Sequence, residues 1–285
     1  MTSLAIGSDE HRRLYCRTFI ETHRPYRPED LAWPDLDAES LGRLKSLPVW
    51  NEAVRTEAAT AVKVQTLGRE EKDPVLAEAI SLQGYEEGRH ASVIALLTRH
   101  YGIPVDSFPP PEVPKNPTWT FLRTGYGECL DSFFAFGLFE IGRRTRFFPD
   151  ELISIFDQIM QEEARHILFL VNWAADLRAR RPWIARPAFD ARRAWNVVAQ
   201  AVDRMRGAMA MKGSRTQTGF TMKSHAALGD FSLRPFLALC LAENARRLAP
   251  YDARLLRPVL TPGAVRAALR LMPGGRGEGT LRTES

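Results

Sequence analysis

Apolar residues recur three and four positions apart through much of the chain, in long stretches separated by charged, proline-rich or glycine-rich breaks. This spacing predicts amphipathic α-helices. Four of the predicted helices fall between residues 50 and 178 and are joined in pairs by short connections. Because a short connection reverses the chain direction, each pair should form an antiparallel hairpin. The four helices are predicted at about 50–67, 75–101, 117–144 and 151–178.

A proline-rich connection links the two hairpins. It runs from Pro104 to Pro117, and such a length is uncommon in a compact domain, although it suits a chain that crosses from one end of a bundle to the other. Asn116 followed by Pro117 has the residue order of a helix N-cap and first turn. The pattern therefore predicts an all-α protein whose centre is a four-helix bundle with one long crossover.

The sequence on either side of the predicted bundle is less regular. Residues 1–48 are polar and interrupted by prolines, which predicts an N-terminal arm with one short helix near 38–47. After the bundle at 49–180, weaker helical patterns predict an extension at 181–272 that packs on it. The helices expected there lie near 188–211, 232–249 and 262–272, and a polar tail at 273–285 is expected to be disordered.

Composition and charge narrow the class of protein without identifying it. The chain of 285 residues carries 39 Lys and Arg against 34 Asp and Glu, a net charge of +5. So mild a charge permits a nucleic-acid partner but does not indicate one, and no basic–aromatic platform supports it. Three widely separated cysteines suit a reducing cytosol and argue against thiolate zinc or iron–sulfur sites. No apolar run reaches bilayer length and the N-terminus has no secretory pattern, so we expect a cytoplasmic protein without a membrane partner.

One short motif occurs twice, once in the second and once in the fourth predicted helix. Each copy reads Glu-Glu, a small residue, then Arg-His, and so contains Glu-x-x-His. Residues three positions apart share a helix face. Glu87 therefore lies beside His90, and Glu163 lies beside His166, in the middle of apolar, core-facing stripes. The two copies occupy residues 86–90 and 162–166.

Buried carboxylates are costly unless they are paired or bound to a metal. Two carboxylates and two imidazoles in one core favour a transition metal, and iron or manganese suits this mixture of oxygen and nitrogen donors. A two-metal site needs further carboxylates from the other two helices. Glu57 fits on the first helix, because it lies in the apolar stripe and because folding the hairpin about residue 72 brings it opposite Glu87.

The third helix offers three carboxylates. Its hairpin folds near residue 147 or 148, which places the partner of Glu163 near residue 132. Asp131 lies closest and Glu128 lies one turn away on the same face, so we rank them equally. Glu140 ranks below both, because its midpoint with Glu163 falls inside the fourth helix and because adjacent arginines offer it surface ion pairs.

Other titratable residues have simpler interpretations. We expect Glu86 and Glu162 to be solvated or paired with the motif arginines rather than to bind metal. His225 lies outside the bundle and is either an extra ligand or an ordinary polar histidine. Surface positions are expected for His11, His23 and His100, and Cys129 is expected to be buried beside the site.

The doubled Glu-x-x-His motif, together with carboxylates on the first and third helices, resembles the ferritin-like di-iron carboxylate superfamily over residues 50–178. The resemblance implies two bound iron ions, with one manganese and one iron as an alternative, and O2 as co-substrate. It also implies that Glu87 and Glu163 bridge the metals, and an Asp ligand on the third helix would depart from the usual Glu. The ligands carried over are Glu57, Glu87, His90, Glu128 or Asp131, Glu163 and His166.

Members of this superfamily oxidise and store iron, reduce peroxide or oxidise organic molecules. We expect the third activity, because residues 181–272 could cap the bundle mouth and because the Cys-x-x-Cys of rubrerythrin-type peroxidases is absent from the sequence. The implied enzyme is a non-haem di-metal oxidoreductase that uses O2 to hydroxylate, N-oxygenate or desaturate a small-molecule substrate. Its catalytic residues are Glu57, Glu87 and Glu163. An external electron donor and a homodimer accord with the resemblance.

Two alternatives stay open. A ferroxidase or peroxidase of ferritin or rubrerythrin type would turn over iron or peroxide without an organic substrate. A non-enzymatic helical interaction protein would use the buried Glu and His residues as an ion-pair network. Metal content distinguishes this last alternative from the other two.

Overall fold

Helices account for the regular structure in the computed structural model, which describes residues 4–213 and 232–272. Those residues contain nine α-helices, two single-turn 3-10 helices and no strand. The predicted all-α class is therefore confirmed. The α-helices are α1 (Asp9–Glu21), α2 (Ala38–Ser46), α3 (Trp50–Glu70), α4 (Pro74–His100), α5 (Pro117–Arg144), α6 (Asp150–Ala179), α7 (Arg186–Gly213), α8 (Leu233–Leu248) and α9 (Leu260–Leu271).

Side-chain caps fix where two of the long helices begin. The carboxylate of Asp73 accepts hydrogen bonds from the N–H groups of Val75 and Leu76, at 3.1 and 3.2 Å, and starts α4. Asn116 accepts a hydrogen bond from the N–H group two residues after Pro117, and so caps α5. Proline fits the first turn because its missing N–H has no helical partner there. The predicted helix start at Pro117 is confirmed.

Each of the helices α3, α4, α5 and α6, called the long helices below, packs against two of the others. α3 contacts α4 and α5, and α6 contacts α4 and α5, so their facing sides share one interior. Residues 71–73 join α3 to α4, and residues 145–149 join α5 to α6. These short connections make each joined pair antiparallel. Residues 101–116 connect the two pairs.

Two glycines allow α3 and α4 to approach closely. A Cβ on Gly84 would lie 2.9 Å from the backbone nitrogen of Gln65, and a Cβ on Gly68 would lie 3.1 Å from that of Ser81. Both distances are shorter than ordinary van der Waals contact. A larger residue at either position would push the two helices apart.

Gly84→Ala should therefore destabilise the protein by about 1–3 kcal/mol, the usual cost of overpacking a core. Gly88→Ala is the matched control, one turn later on the same helix, where a Cβ would lie 3.7 Å from the Cβ of Ala61. The control should melt at or above the wild-type temperature, because alanine favours the helix. Equal melting temperatures for the two variants would contradict the tight contact at Gly84.

An additional helix, α1, lies in the stretch for which only α2 was predicted. It packs against α4 and α6 through a face formed by His11, Tyr15, Cys16 and Phe19, all of which are buried. Ser8 caps it, and acidic residues follow in the first turn. The apolar pattern does not reveal α1, because charged residues outnumber apolar ones along its 13 residues.

The surface position expected for His11 is wrong. Its ring is fully buried, and Nε2 lies 3.0 Å from Oδ1 of Asn172 on α6. The backbone N–H of Gly7 donates a hydrogen bond to Nδ1, so both ring nitrogens have partners within the protein. His11 thus helps to hold α1 on α6. His100, by contrast, is exposed as expected.

The helices after α6 pack mainly along α5. Both α7 and α8 contact α5, α8 also contacts α6, and α9 contacts α8 and α5. The predicted candidate His225 and the predicted tail at 273–285 lie outside the described residues. Within the described part of the chain, no helix combines the length and the apolar character that a membrane crossing requires.

Candidate metal centre

Four side chains from three helices converge in the interior shared by the long helices. Glu57 comes from α3, Glu87 and His90 come from α4, and Glu163 comes from α6. Each offers one donor atom, and these atoms all lie within 4.8 Å of one another. Glu87, His90 and Glu163 are buried, while the side chain of Glu57 is 24% exposed. A group of oxygen and nitrogen donors of this kind could hold a metal ion.

His166 on α6 adds a second imidazole to this group. Its Nδ1 lies 3.0 Å from Oε1 of Glu87 and 3.8 Å from Oε1 of Glu163. Nδ1 of His90 lies 3.1 Å from the same Glu163 oxygen and 3.7 Å from Oε2 of Glu57. Glu163 therefore lies next to both rings, and the structure brings the two copies of the motif to one place.

The Nδ1 atoms of His90 and His166 are buried and lack a hydrogen-bond partner among the described residues. Carboxylate oxygens lie near them, but not in the direction that a hydrogen bond requires. Unpaired buried polar atoms are rare in proteins, because each one costs about 1–3 kcal/mol. Two such nitrogens among carboxylates fit a site in which nitrogen and oxygen donors share a cation.

The other nitrogen of His90 is held by a carboxylate from the opposite motif. Its Nε2 lies 2.8 Å from Oε2 of Glu162, and Arg89 donates to Oε1 of Glu162 at 2.7 Å. Although burial would raise the pKa of Glu162, these two cationic partners lower it. A carboxylate that accepts a hydrogen bond from the Nε2–H group keeps the proton on Nε2 and so leaves Nδ1 to act as the ligand atom for a metal.

The same contacts occur a second time with the roles of α4 and α6 exchanged. Nε2 of His166 lies 2.9 Å from Oε2 of Glu86, and Arg165 donates to Oε1 of Glu86. Despite burial, His166 and Arg165 hold the pKa of Glu86 well below its usual range. Of the two alternatives for Glu86 and Glu162, solvated or paired with the motif arginines, the structure shows the second. Each carboxylate pairs across to the arginine on the other helix.

The structure separates the two carboxylates that ranked equally on the third helix, now α5. Glu128 is half-buried, and burial together with the charges of Glu87 and Glu163 raises its pKa well above the usual value. Asp131 is exposed and accepts a hydrogen bond from Nε of Arg204 on α7 at 2.7 Å. The two carboxylates thus differ in their surroundings: Glu128 is close enough to Glu87 and Glu163 to feel their charge, whereas Asp131 pairs with α7. Neither is among the four residues whose donor atoms lie within 4.8 Å of one another, so the choice of ligand on α5 stays a prediction.

Glu140, which ranked below both, lies outside the cluster. Arg143 and Arg144 donate to its carboxylate at 2.7 and 2.6 Å. The hydrogen bond from Arg143, supported by Arg144, lowers the pKa of Glu140 to about 2. The adjacent arginines thus satisfy this carboxylate, as the sequence analysis expected.

Proton affinity differs among the members of the cluster. Burial, with the charges of Glu87 and Glu163, raises the pKa of Glu57 to about 8. At Glu87 burial acts in the same direction, but the two imidazoles outweigh it and lower the pKa. At His90 and His166 the surrounding carboxylates outweigh burial and raise the pKa well above the usual value. The metal-free cluster therefore holds protons where a metal would bind.

One contact with the motif residues comes from outside the long helices and was not predicted from the sequence. His23, expected at the surface, has a side chain that is only 18% exposed, and its Nδ1 lies 2.5 Å from Oε1 of Glu86. No periodic pattern marks residues 22–27, so no sequence signal pointed to this contact. Cys129, expected to be buried beside the site, is half-buried, and burial raises the pKa of its thiol.

Metal binding should release protons, since Glu57 and both imidazoles must lose theirs to act as ligands. Affinity for Co(II), measured by titration between about pH 6 and 8, should therefore rise with pH, by roughly tenfold per pH unit for each proton displaced. Proton release in weakly buffered solution checks the same expectation. An affinity that does not change with pH would contradict this assignment of ligands.

Glu57 should destabilise the metal-free protein at alkaline pH. Its pKa is about 8 in the folded protein and 4.5 in the unfolded chain, so stability falls as pH rises through this range. Glu57→Gln should raise the melting temperature at about pH 8 by roughly 2–4 °C for each kcal/mol gained, and should leave it unchanged at about pH 4. A lower melting temperature than wild type at both pH values would contradict this account.

Comparison with models of known protein families, with curated proteins and with solved structures gave no match. The chain is therefore classified by its own fold and site. It is an all-helical protein with a group of Glu and His residues, close to one another, that could bind a metal.

Proposed function

We propose that this chain is a ferritin-like di-metal oxidoreductase that uses O2 to oxidise a small organic molecule. The observation that carries the proposal is that the buried Nδ1 atoms of His90 and His166 lie 3.1 and 3.0 Å from carboxylate oxygens without forming a hydrogen bond. In a purely structural ion-pair network, buried donors would be hydrogen-bonded to acceptors. A metal site instead needs nitrogen and oxygen ligand atoms that converge on one point without forming hydrogen bonds to one another.

Six side chains would hold two metal ions. Four of them are carboxylates, whose combined charge balances two divalent ions, so the buried charge is neutralised. Iron, or one manganese and one iron, suits these donors and supplies the electrons that activate O2. The proposed ligands are Glu57, Glu87, His90, Glu128, Glu163 and His166.

The remaining motif residues orient the ligands. Glu162 and Glu86 hold the Nε2 protons of His90 and His166, which fixes the tautomer and the ring direction of each ligand. Glu163 lies between the two Nδ1 atoms, at 3.1 and 3.8 Å. Because Oε1 of Glu163 is near both imidazoles, Glu163 could contribute to holding either metal ion.

The open side of the cluster indicates where a substrate would enter. Glu57 on α3 and Glu128 on α5 are partly exposed, whereas the motif residues on α4 and α6 are buried and α1 packs over these two helices. Substrate and O2 would therefore approach between α3 and α5, and water would be excluded from the α1 side. Because α7 and α8 pack along α5, the C-terminal helices flank the helix that borders this entrance, which favours an organic substrate over iron storage. An external donor would supply the electrons for each turnover.

Protein produced with iron and manganese should contain about two metal ions per chain by elemental analysis. Addition of O2 after anaerobic reduction should give new optical bands. The double variant Glu87→Gln/Glu163→Gln should stay helical by circular dichroism and lose the metal.

Three outcomes would separate the alternatives. A folded wild-type protein without metal would leave the buried acids as an ion-pair network. A metal-loaded protein that turns over iron or peroxide, but no compound in a screen of small organic molecules, would identify a ferroxidase or peroxidase. O2 consumption coupled to oxidation of an organic compound would support the proposal.

Glu128→Gln tests the ligand assigned to α5. Because even a group that only supports a ligand contributes about 10–100-fold to metal affinity, loss of Glu128 should cost at least this much. Asp131→Asn, one turn away and exposed, should leave metal affinity and metal content unchanged. Equal effects of the two substitutions on Co(II) titration would contradict the assignment.

A further inference from the structure

A segment of the N-terminal arm, residues 19–26, covers the two arginines that pair with the motif carboxylates. We call it the arm segment. The backbone carbonyl of Thr22 accepts a hydrogen bond from Arg165 at 2.5 Å, and the guanidinium carbon of Arg165 lies 4.8 Å from the ring centroid of Phe19. Arg165 is buried, so it is enclosed between the arm segment and Glu86.

The arm segment makes matching contacts with the other arginine. The backbone carbonyl of Arg24 accepts a hydrogen bond from Arg89 at 3.1 Å, and the guanidinium carbon of Arg89 lies 3.8 Å from the ring centroid of Tyr26. The hydroxyl of Tyr26 is buried and has no hydrogen-bond partner among the described residues. The ring therefore makes the interaction, because a desolvated cation is attracted to an aromatic face.

His23 adds a direct contact with one carboxylate. Its Nδ1 lies 2.5 Å from Oε1 of Glu86, the same oxygen that receives the hydrogen bond from Arg165. The other oxygen of Glu86 lies 2.9 Å from Nε2 of His166. The position of Glu86 is thus set jointly by the arm segment and α6.

These contacts satisfy donors that the long helices leave open. The arm carbonyls accept hydrogen bonds from terminal N–H groups of Arg89 and Arg165, while the Nε atoms of both arginines are buried without a hydrogen-bond partner in the described chain. The arm carbonyls and rings therefore supply much of the environment of each guanidinium. If the arm segment moved away, each guanidinium would turn toward water. The carboxylate paired with it would lose its fixed position, and so would the histidine Nε2 that depends on that carboxylate.

We propose that the arm segment positions both ligand histidines. Tyr26 acts on His90 through Arg89, which holds Glu162. His23 acts on His166 through Glu86. The inference rests on the proposed metal centre and makes Tyr26 and His23 positioning residues, since neither touches the cluster itself.

Two substitutions test the contacts of Tyr26 with Arg89 and of His23 with Glu86 in turn. Tyr26→Leu removes the ring from Arg89, and His23→Ala removes the imidazole from Glu86. Tyr26→Phe keeps the ring, and Arg27→Ala changes a neighbouring side chain that is 73% exposed. In Co(II) titrations both test variants should bind about 10–100-fold more weakly, the loss expected when a ligand loses its supporting group. Both control variants should match the wild type.

Exchange of the histidine Nε2 protons with solvent, followed by NMR in the metal-free protein, gives a readout that general loosening would not reproduce. Tyr26→Leu should accelerate exchange more at His90 than at His166, because Arg89 lies 2.7 Å from Glu162 and 3.8 Å from Glu86. His23→Ala should accelerate exchange more at His166 than at His90. Unchanged affinity and exchange in both variants would overturn the inference, as would equal acceleration at both rings. Because exchange is measured without metal, a wild-type protein that binds no Co(II) would refute the proposed function and still leave the arm segment tested.

Discussion

The architecture depends on placing several carboxylates in a helical core, where an uncompensated negative charge is very costly. The outer carboxylates, Glu86 and Glu162, solve this within the protein, since each has an arginine and an imidazole as partners. The inner carboxylates face the inward nitrogens of the same two imidazoles, and Glu87 also accepts a hydrogen bond from the neutral amide of Gln83 at 3.4 Å. The outer carboxylates therefore have all their charge paired within the protein, whereas the inner carboxylates have to take up protons or a metal ion.

Much of this arrangement could be predicted, because it follows from spacing along single helices. Apolar periodicity predicts the long helices. The spacing of the motif places Glu87 beside His90 on one helix face, whatever packs around them. Glu57 could be assigned because the connection at 71–73 is short. A tight hairpin fixes the level of residues on one helix relative to the other.

The features that could not be predicted depend on contacts between distant parts of the chain. Asp131 and Glu128 are equivalent on α5 alone, and only Arg204 on α7 separates them. The pairing of each motif carboxylate with the arginine of the other motif depends on how the two hairpins pack together, and no local sequence pattern predicts that packing. α1 was missed for a related reason, because its short polar sequence gains its buried face only against α4 and α6.

The crossover at 101–116 has a consequence for the order of assembly. Glu86 and Arg165 lie 79 residues apart, and Arg89 and Glu162 lie 73 apart, on opposite sides of this connection. Contacts within a hairpin close short loops and form early, whereas contacts across the crossover carry the larger entropy of loop closure and form late. Neither hairpin can orient a histidine alone. If the cluster binds a metal as proposed, a nascent chain would have no finished coordination sphere with which to capture an ion, and loading would be confined to protein that has completed its fold.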